Sequence, residues 1–397
     1  MSYLNITSDQ QLVEYCSHLA RAPWIAFDTE FVAEQSYRPL LCLLQVATAD
    51  SLAIVDALTI HDMNPFWQVL AEGDHETIVH AGRGEMEFCL RAVNRWPARL
   101  FDVQIAAGLV GIEYPAGFRT LIYKLLGEST RKEETRTDWH RRPLSPRQID
   151  YALDDVRYLP LLYEKLRSRL AELRRTDWLI EEMASFEREV EQAFSVERWR
   201  RVSGNSGLDR RSLAIVRELW RWRESEAERR NCPVRRVLRD DLLVELAKRQ
   251  TADLKRIKAV RGLERGDLAR QLTKIAARIK HALDLPLDEC PPTAHHEPTP
   301  QLAVLGQFLF SALGSICRQQ NLAPGLVGTP NDIRELIAVR LGHLSARHAP
   351  RLAHGWRAKV IGQVIHDLLE GRLAMRVEDP RSDHPLVIEP LPPRTGT

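Results

Sequence analysis

Hydrophobic and polar positions along the chain switch repeatedly between a two-residue and a helical period. Residues 4–7 predict a short strand, and Ser8 caps a helix over 9–21 in which Leu12, Val13, Cys16 and Leu19 recur at helical spacing. Trp24-Ile-Ala-Phe-Asp28-Thr-Glu30-Phe31, bounded by Pro23, predicts a buried strand. Residues 40–47 and 51–55 predict a hairpin around the polar turn Thr48-Ala-Asp50. A helix over 66–71, a strand over 77–80, a helix over 85–93, and a strand over 100–103 running into a helix over 105–110 follow. The pattern over 118–126 is helical and ends at Gly127. After a basic loop over 131–142, Ser145-Pro146 opens a long helix, a hydroxyl cap followed by proline at the first position.

Strands first with helices interspersed predict an α/β (α+β) domain on one mixed sheet, and everything beyond residue 176 reads helical or loose. The expected division is 1–200 as the α/β domain, 201–208 (around Ser-Gly-Asn-Ser-Gly) as linker, and 209–284 as an all-helical domain. A proline-rich linker over 285–300, a second helical domain over 301–376 and a loose tail over 377–397 complete it. His295-His296 in the proline-rich segment reads as linker and not as a ligand pair.

Composition adds little to this picture: 44% hydrophobic and 28% charged residues describe an ordinary globular chain. No apolar run approaches bilayer length and no signal-peptide pattern opens the chain, so no membrane partner is expected. Six scattered cysteines without a C-x-x-C pair argue against a zinc site or a disulfide framework and lead us to expect reduced thiols in the cytoplasm. Charge is more informative. Residues 209–283 hold 21 Lys+Arg against 11 Asp+Glu, a net of +10, which leaves −8 for the rest of a chain whose formal charge is +2. A basic appendage on an acidic body suits an enzyme of nucleic acid, although an arginine-rich solvated helix face has the same composition.

Asp28 and Glu30 point to one face of their strand, roughly 6–7 Å apart along it. Two acids on a buried strand repel and lose solvation, so a hard divalent cation is one candidate for the compensating charge; a pair at the strand's rim is the plain alternative. Far along the chain, Tyr151 and Asp155 stand i,i+4 on one helix face, with Cβ atoms roughly 5–6 Å apart, while neighbouring Asp154 points elsewhere. Neither pattern is specific alone. Their order, together with Phe27-Asp-Thr-Glu-Phe31, His80-Ala-Gly82, Phe101-Asp-Val-Gln-Ile105 and Arg136-Thr-Asp-Trp139 through Arg142-Pro-Leu-Ser-Pro146, resembles the DEDD superfamily of 3′→5′ exonucleases. Within it, the match is to the tyrosine-containing ribonuclease D family. The basic helical segment is similar to the HRDC domain of that family and of RecQ-type helicases, and the second helical region is similar to a further HRDC-like unit.

The resemblance implies a ribonuclease H-like exonuclease domain followed by two HRDC-type domains. It implies 3′→5′ exoribonuclease activity on single-stranded 3′ ends of structured RNA, such as tRNA precursors, releasing nucleoside 5′-monophosphates. Asp28 would bridge two divalent ions, Mg²⁺ or Mn²⁺, while Glu30 and Asp155 would ligate the ion that binds the attacking water and Tyr151 would orient that water. Glu85 departs from the pattern, because the family carries aspartate there. It keeps the charge but moves the carboxylate by one methylene, and Gly84 beside it gives the backbone room to adjust; Glu87 is expected to face away. Two other classes stay open: an RNA-binding protein with a weakened catalytic site, and a DNA 3′→5′ exonuclease. Lys255, Arg256, Lys258, Arg261 and Gly262, ahead of a helix beginning near Arg265, are candidate phosphate contacts. Of Trp220 and Trp222, the helical wheel puts Trp220 in the core with Leu213, Val216 and Leu219.

Overall fold

The structure is a computed structural model and describes residues 3–129, 137–195, 197–263, 266–293, 300–344 and 349–392. The first half of the basic loop, including Arg131, Lys132 and Arg136, lies outside the described residues, as do Arg265 and the His295-His296 pair.

The N-terminal body is built from β1 (Leu4–Ile6), α1 (Asp9–Leu19), β2 (Trp24–Val32), β3 (Leu40–Ala47), β4 (Leu52–Val55), α2 (Asn64–Glu72), β5 (Glu76–Val79), α3 (Arg83–Val93) and β6 (Arg99–Asp102). These strands form a mixed sheet in the order β1-β4-β3-β2-β5-β6. The consecutive strands β2, β3 and β4 pair antiparallel, and the pairs β1/β4, β2/β5 and β5/β6, each with a helix between them in the chain, are parallel. Period-two alternation sorts the side chains onto two faces. Ile25, Phe27, Val46 and Val55 pack with Leu12, Phe66 and Met86 from α1–α3, whereas Ala26, Ala47 and Ile78 face the helices that follow.

Those helices are α4 (Val103–Leu109), α5 (Phe118–Leu126), α6 (Pro146–Arg157), α7 (Leu159–Glu172) and α8 (Thr176–Ser195). Ser145 and Gln148 form a reciprocal capping box that starts α6 where the hydroxyl–proline pair placed it. The single long helix expected from that point is instead two. Pro160, second in α7, has no N–H for the ladder, and the chain turns at Tyr158.

A short 3₁₀ turn at Arg198–Arg201 leads to α9 (Arg210–Arg230), α10 (Val234–Val237), α11 (Asp240–Arg249), α12 (Leu254–Lys258) and α13 (Gly266–Asp284). They enclose a core of their own, with Leu213, Val216, Leu219, Leu243, Ile257 and Ile279 at its centre. Trp222 is buried in it and Trp220 is only partly so, the reverse of the wheel-based expectation. The buried arc of α9 spans Leu213–Val216, Leu219, Trp222, Arg223, Glu226 and Ala227, so it is centred nearer Trp222.

The last helices are α14 (Pro300–Gln319), α15 (Pro324–Val327), α16 (Pro330–Arg340), α17 (Gly355–Arg357) and α18 (Gln363–Leu369). Their apolar side chains Leu309, Leu313, Leu326 and Trp356 share one continuous core with Phe101, Leu109 and Leu166 of the N-terminal body. By length and composition α14 could cross a membrane, contrary to the sequence expectation; here Leu309, Leu313, Ile316 and Cys317 are buried in that core. The tail is not loose throughout. β7 (Leu373–Val377) and β8 (Leu386–Pro390) pair antiparallel, Ile388 packs on the core, and the Ser315 hydroxyl donates to the Leu386 carbonyl. Gly371, at a φ of 68°, follows the end of α18, short of the helical domain expected over 301–376.

Candidate active site

Asp28 and Glu30 project from β2 toward the face covered by α6, and both are half-buried. Beyond Ala26, β2 has lost its β5 partner, so its end forms an open rim beside the turn His80-Ala-Gly82. That turn is held by Asp102. Its carboxylate accepts from the backbone N–H groups of Ala81 (3.1 Å), Gly82 (2.9 Å) and Gln104 (2.8 Å), so one fully buried side chain caps α4 and fixes the approach to α3. A Cβ on Gly82 would collide with the Val79 side chain, which accounts for the glycine.

Glu85 enters from the first turn of α3 and is buried. Its Oε1 accepts the Thr29 hydroxyl at 2.6 Å. By strand alternation Thr29 faces away from Asp28 and Glu30, so the glutamate is tethered at the rim behind the two acids while still within their field. Glu87 instead lies between Arg83 and Arg91 along the helix surface. Asp154 pairs with Arg157.

Tyr151 and Asp155 reach the same acids from α6, and the Tyr151 phenol is hydrogen-bonded to Asp155. The helix is set on the sheet by Trp139, which is buried and stands 6.1 Å from the Tyr151 ring, and by Ala152 and Leu153 against Leu43 and Ile54. Arg142 ties down the segment before it. Its guanidinium grips Asp56 with two hydrogen bonds of 2.6 and 2.7 Å and also donates to the carbonyls of Cys42 and Trp139. The motif around Arg142 was visible in the sequence, but its partner 86 residues away was not.

The electrostatics of the cluster are one-sided. Burial, then Asp28, Asp155 and Glu85, push the Glu30 carboxyl up to about 9. Burial and Asp155 raise Asp28 against a hydrogen bond from the Thr29 backbone, and burial and Asp28 raise Glu85. Burial, then Asp155, Glu30 and Asp28, push the Tyr151 phenol well above its ordinary range. Among the described residues, no cationic side chain is one of the groups acting on Asp28 or Glu30. Oxygen donors gathered without a counter-charge fit a hard divalent ion. Among the described residues no three such side chains converge to ligand distance, so binding an ion requires these mutually repelling carboxylates to rotate inward.

In the basic helical domain Lys255, Arg256, Lys258 and Arg261 are all exposed, anchored from beneath by buried Ile257 and Leu263. Gly262 follows at a φ of 102°. The domain also touches the connection between β2 and β3. In the segment after β2, the Tyr37 hydroxyl donates to Glu224 (3.2 Å), its backbone N–H donates to Asn231 (3.3 Å), and Arg38 pairs with Glu228.

Comparison with known proteins agrees with this geometry. The 3′-5′ exonuclease family model matches residues 3–171, and the HRDC domain model matches residues 212–279. Ribonuclease D of Granulibacter bethesdensis is 34% identical over 381 residues, covering 94% of both chains. Ribonuclease D of Acidiphilium cryptum is 34% identical over 385 residues, 93% of this chain and 94% of that one. The crystal structure of Escherichia coli RNase D, an exoribonuclease involved in structured RNA processing, superposes with a TM-score of 0.82 at 27% identity, over 94% of this chain and 99% of that one. These relationships do not favour a DNA exonuclease or a binding protein without catalysis. The chain belongs to the ribonuclease D family, metal-dependent hydrolases that remove nucleotides from RNA in the 3′→5′ direction.

Proposed function

We propose that this exoribonuclease trims single-stranded 3′ ends of structured RNA, such as tRNA precursors, to nucleoside 5′-monophosphates, with two divalent ions (Mg²⁺ or Mn²⁺) at the acidic cluster. The observation that carries this reading is the gathering of Asp28, Glu30, Glu85 and Asp155 in one field in which, among the described residues, no cationic side chain acts on Asp28 or Glu30. Asp28, Glu30 and Asp155 would hold the ions, with Glu85 as a displaced fourth ligand that must give up some of its Thr29 tether. Such a pair of ions supplies a lowered pKa for bound water and charge stabilisation at the scissile phosphate.

The remaining roles belong to the chain. Tyr151 keeps its proton at neutral pH, so it serves as a hydrogen-bonding guide for the attacking water and not as its base. Its phenol is oriented by Asp155 and backed by Trp139, which fixes the line of approach. Lys255, Arg256, Lys258, Arg261 and the Gly262 turn would grip the phosphates of the RNA body. A cytoplasmic setting agrees with six free thiols.

The test is nucleotide release from a 3′-tailed RNA and from a DNA of matched sequence, with Mg²⁺ and with Mn²⁺. Stepwise 5′-monophosphate release from RNA supports the reading. Equal trimming of both tails would remove the RNA preference, and a tailed tRNA precursor left intact would remove that substrate class.

A further inference from the structure

Gln45 lies on β3 directly opposite Asp28 of β2, so the two side chains emerge from the same face of the sheet with Cβ atoms about 4.5–5.5 Å apart. It is fully buried, yet neither its amide nitrogen nor its amide oxygen has a hydrogen-bond partner among the described residues. A buried amide left without partners costs free energy and is uncommon in native proteins. The surroundings offer few remedies. On the same face its strand neighbours are Leu43 and Ala47, its partner on β4 is Ile54, and Ala152 and Leu153 of α6 pack onto Leu43 and Ile54. Asp28 is the polar side chain that faces it across the strand pair, with Glu30 one diagonal step further. A glutamine that served only to fill this space would be better replaced by an apolar side chain.

We infer that Gln45 is a positioning residue for Asp28: when the carboxylates turn inward, its Nε2–H donates to one Asp28 oxygen and leaves the other directed at the ion. This inference rests on the reading of the acidic cluster as a metal site. Partners that orient a ligating side chain in this way commonly change metal affinity by about 10- to 100-fold when removed. An amide donor also turns Asp28 without adding charge to the cluster.

The test uses the full chain and the Gln45→Met variant, which keeps length and volume but has no donor. We would measure Mn²⁺ binding by calorimetry, Tm without metal, and the rise in Tm on adding Mn²⁺. The expected result is a metal-free Tm equal to or above that of wild type, with Mn²⁺ binding weaker by about 10- to 100-fold and a correspondingly smaller rise in Tm. Unchanged Mn²⁺ affinity in the variant overturns the inference. So does a metal-free Tm that falls, since the amide would then be serving the fold; Gln45→Leu repeats the comparison with a second apolar shape, and loss of folding in both counts the same way. If wild type itself binds no Mn²⁺, the metal reading of the cluster fails first.

Discussion

At the scale of single residues, the cluster separates groups that would hold an ion from one that would guide water. Tyr151→Phe should lower kcat by about 10- to 100-fold with little change in KM, because only the hydroxyl that aligns the nucleophile is lost; an unchanged kcat would remove Tyr151 from the mechanism. Glu85 is the position where the resemblance led us to expect aspartate. Glu85→Asp should retain trimming and Glu85→Ala should lose both rate and metal affinity; wild-type behaviour in both would mean that Glu85 is not a ligand. Glu30 carries a pH consequence. Its carboxyl is raised from 4.5 to about 9, so between those values the folded chain holds a proton that the unfolded chain has released. Stability of the metal-free protein therefore falls as pH rises through that window. Glu30→Gln should have a shallower fall of Tm between about pH 5 and pH 9 than wild type, and parallel curves would contradict the assignment. The paired acids were legible in the sequence because strand alternation alone puts positions 28 and 30 together. Gln45 was not, since an amide in an apolar strand carries no signal until the β2–β3 register is known.

At the scale of elements, the placement of α6 depends on contacts made before the helix begins. Arg142 and Asp56 are both largely buried and joined by two hydrogen bonds, so Arg142→Ala leaves an uncompensated carboxylate under the loop. We expect a loss of about 3 kcal/mol in urea unfolding together with a lower kcat, because Tyr151 and Asp155 ride on the helix that shifts. A lower midpoint with an unaltered kcat would confine Arg142 to stability. Local signals located the helix itself well: the Ser145 cap, Pro146 and the apolar spacing of α5 each acted within a few residues. Where two local signals competed, the expectation failed. Ser145-Pro146 led us to expect one long helix, but Pro160 divided it. At the other end, the stretch Leu386-Val-Ile388 gains its strand from pairing with β7, a partner that the prolines around it concealed.

At the scale of the molecule, three bodies of sequence are joined by charged contacts that span long separations. Arg175, nearly buried, donates to the carbonyls of Leu109 (2.7 Å) and Asn321 (2.8 Å), and buried Glu182 pairs with Arg357 and accepts from the Trp356 indole at 2.7 Å. Partners up to 175 residues apart leave no trace in local periodicity. The helical character of 300–340 was therefore readable, while its fusion to the exonuclease core was not. The basic helical domain was readable from its linker, its helical pattern and its charge, and its role can be measured. Replacing Lys255, Lys258 and Arg261 together with alanine should raise KM and flatten the salt dependence of RNA binding by about 2 in log–log slope, with kcat little changed; an unaltered slope would take these cations out of the RNA contact. The central claim, that the acids around β2 carry out metal-dependent trimming, has a direct test. It is the release of nucleoside 5′-monophosphate from a 3′-tailed RNA by wild type and by Asp28→Asn, each with Mn²⁺ and with a chelator. The account predicts stepwise release by wild type with Mn²⁺ and none in the other three reactions; trimming that persists in Asp28→Asn, or in chelator, would contradict it.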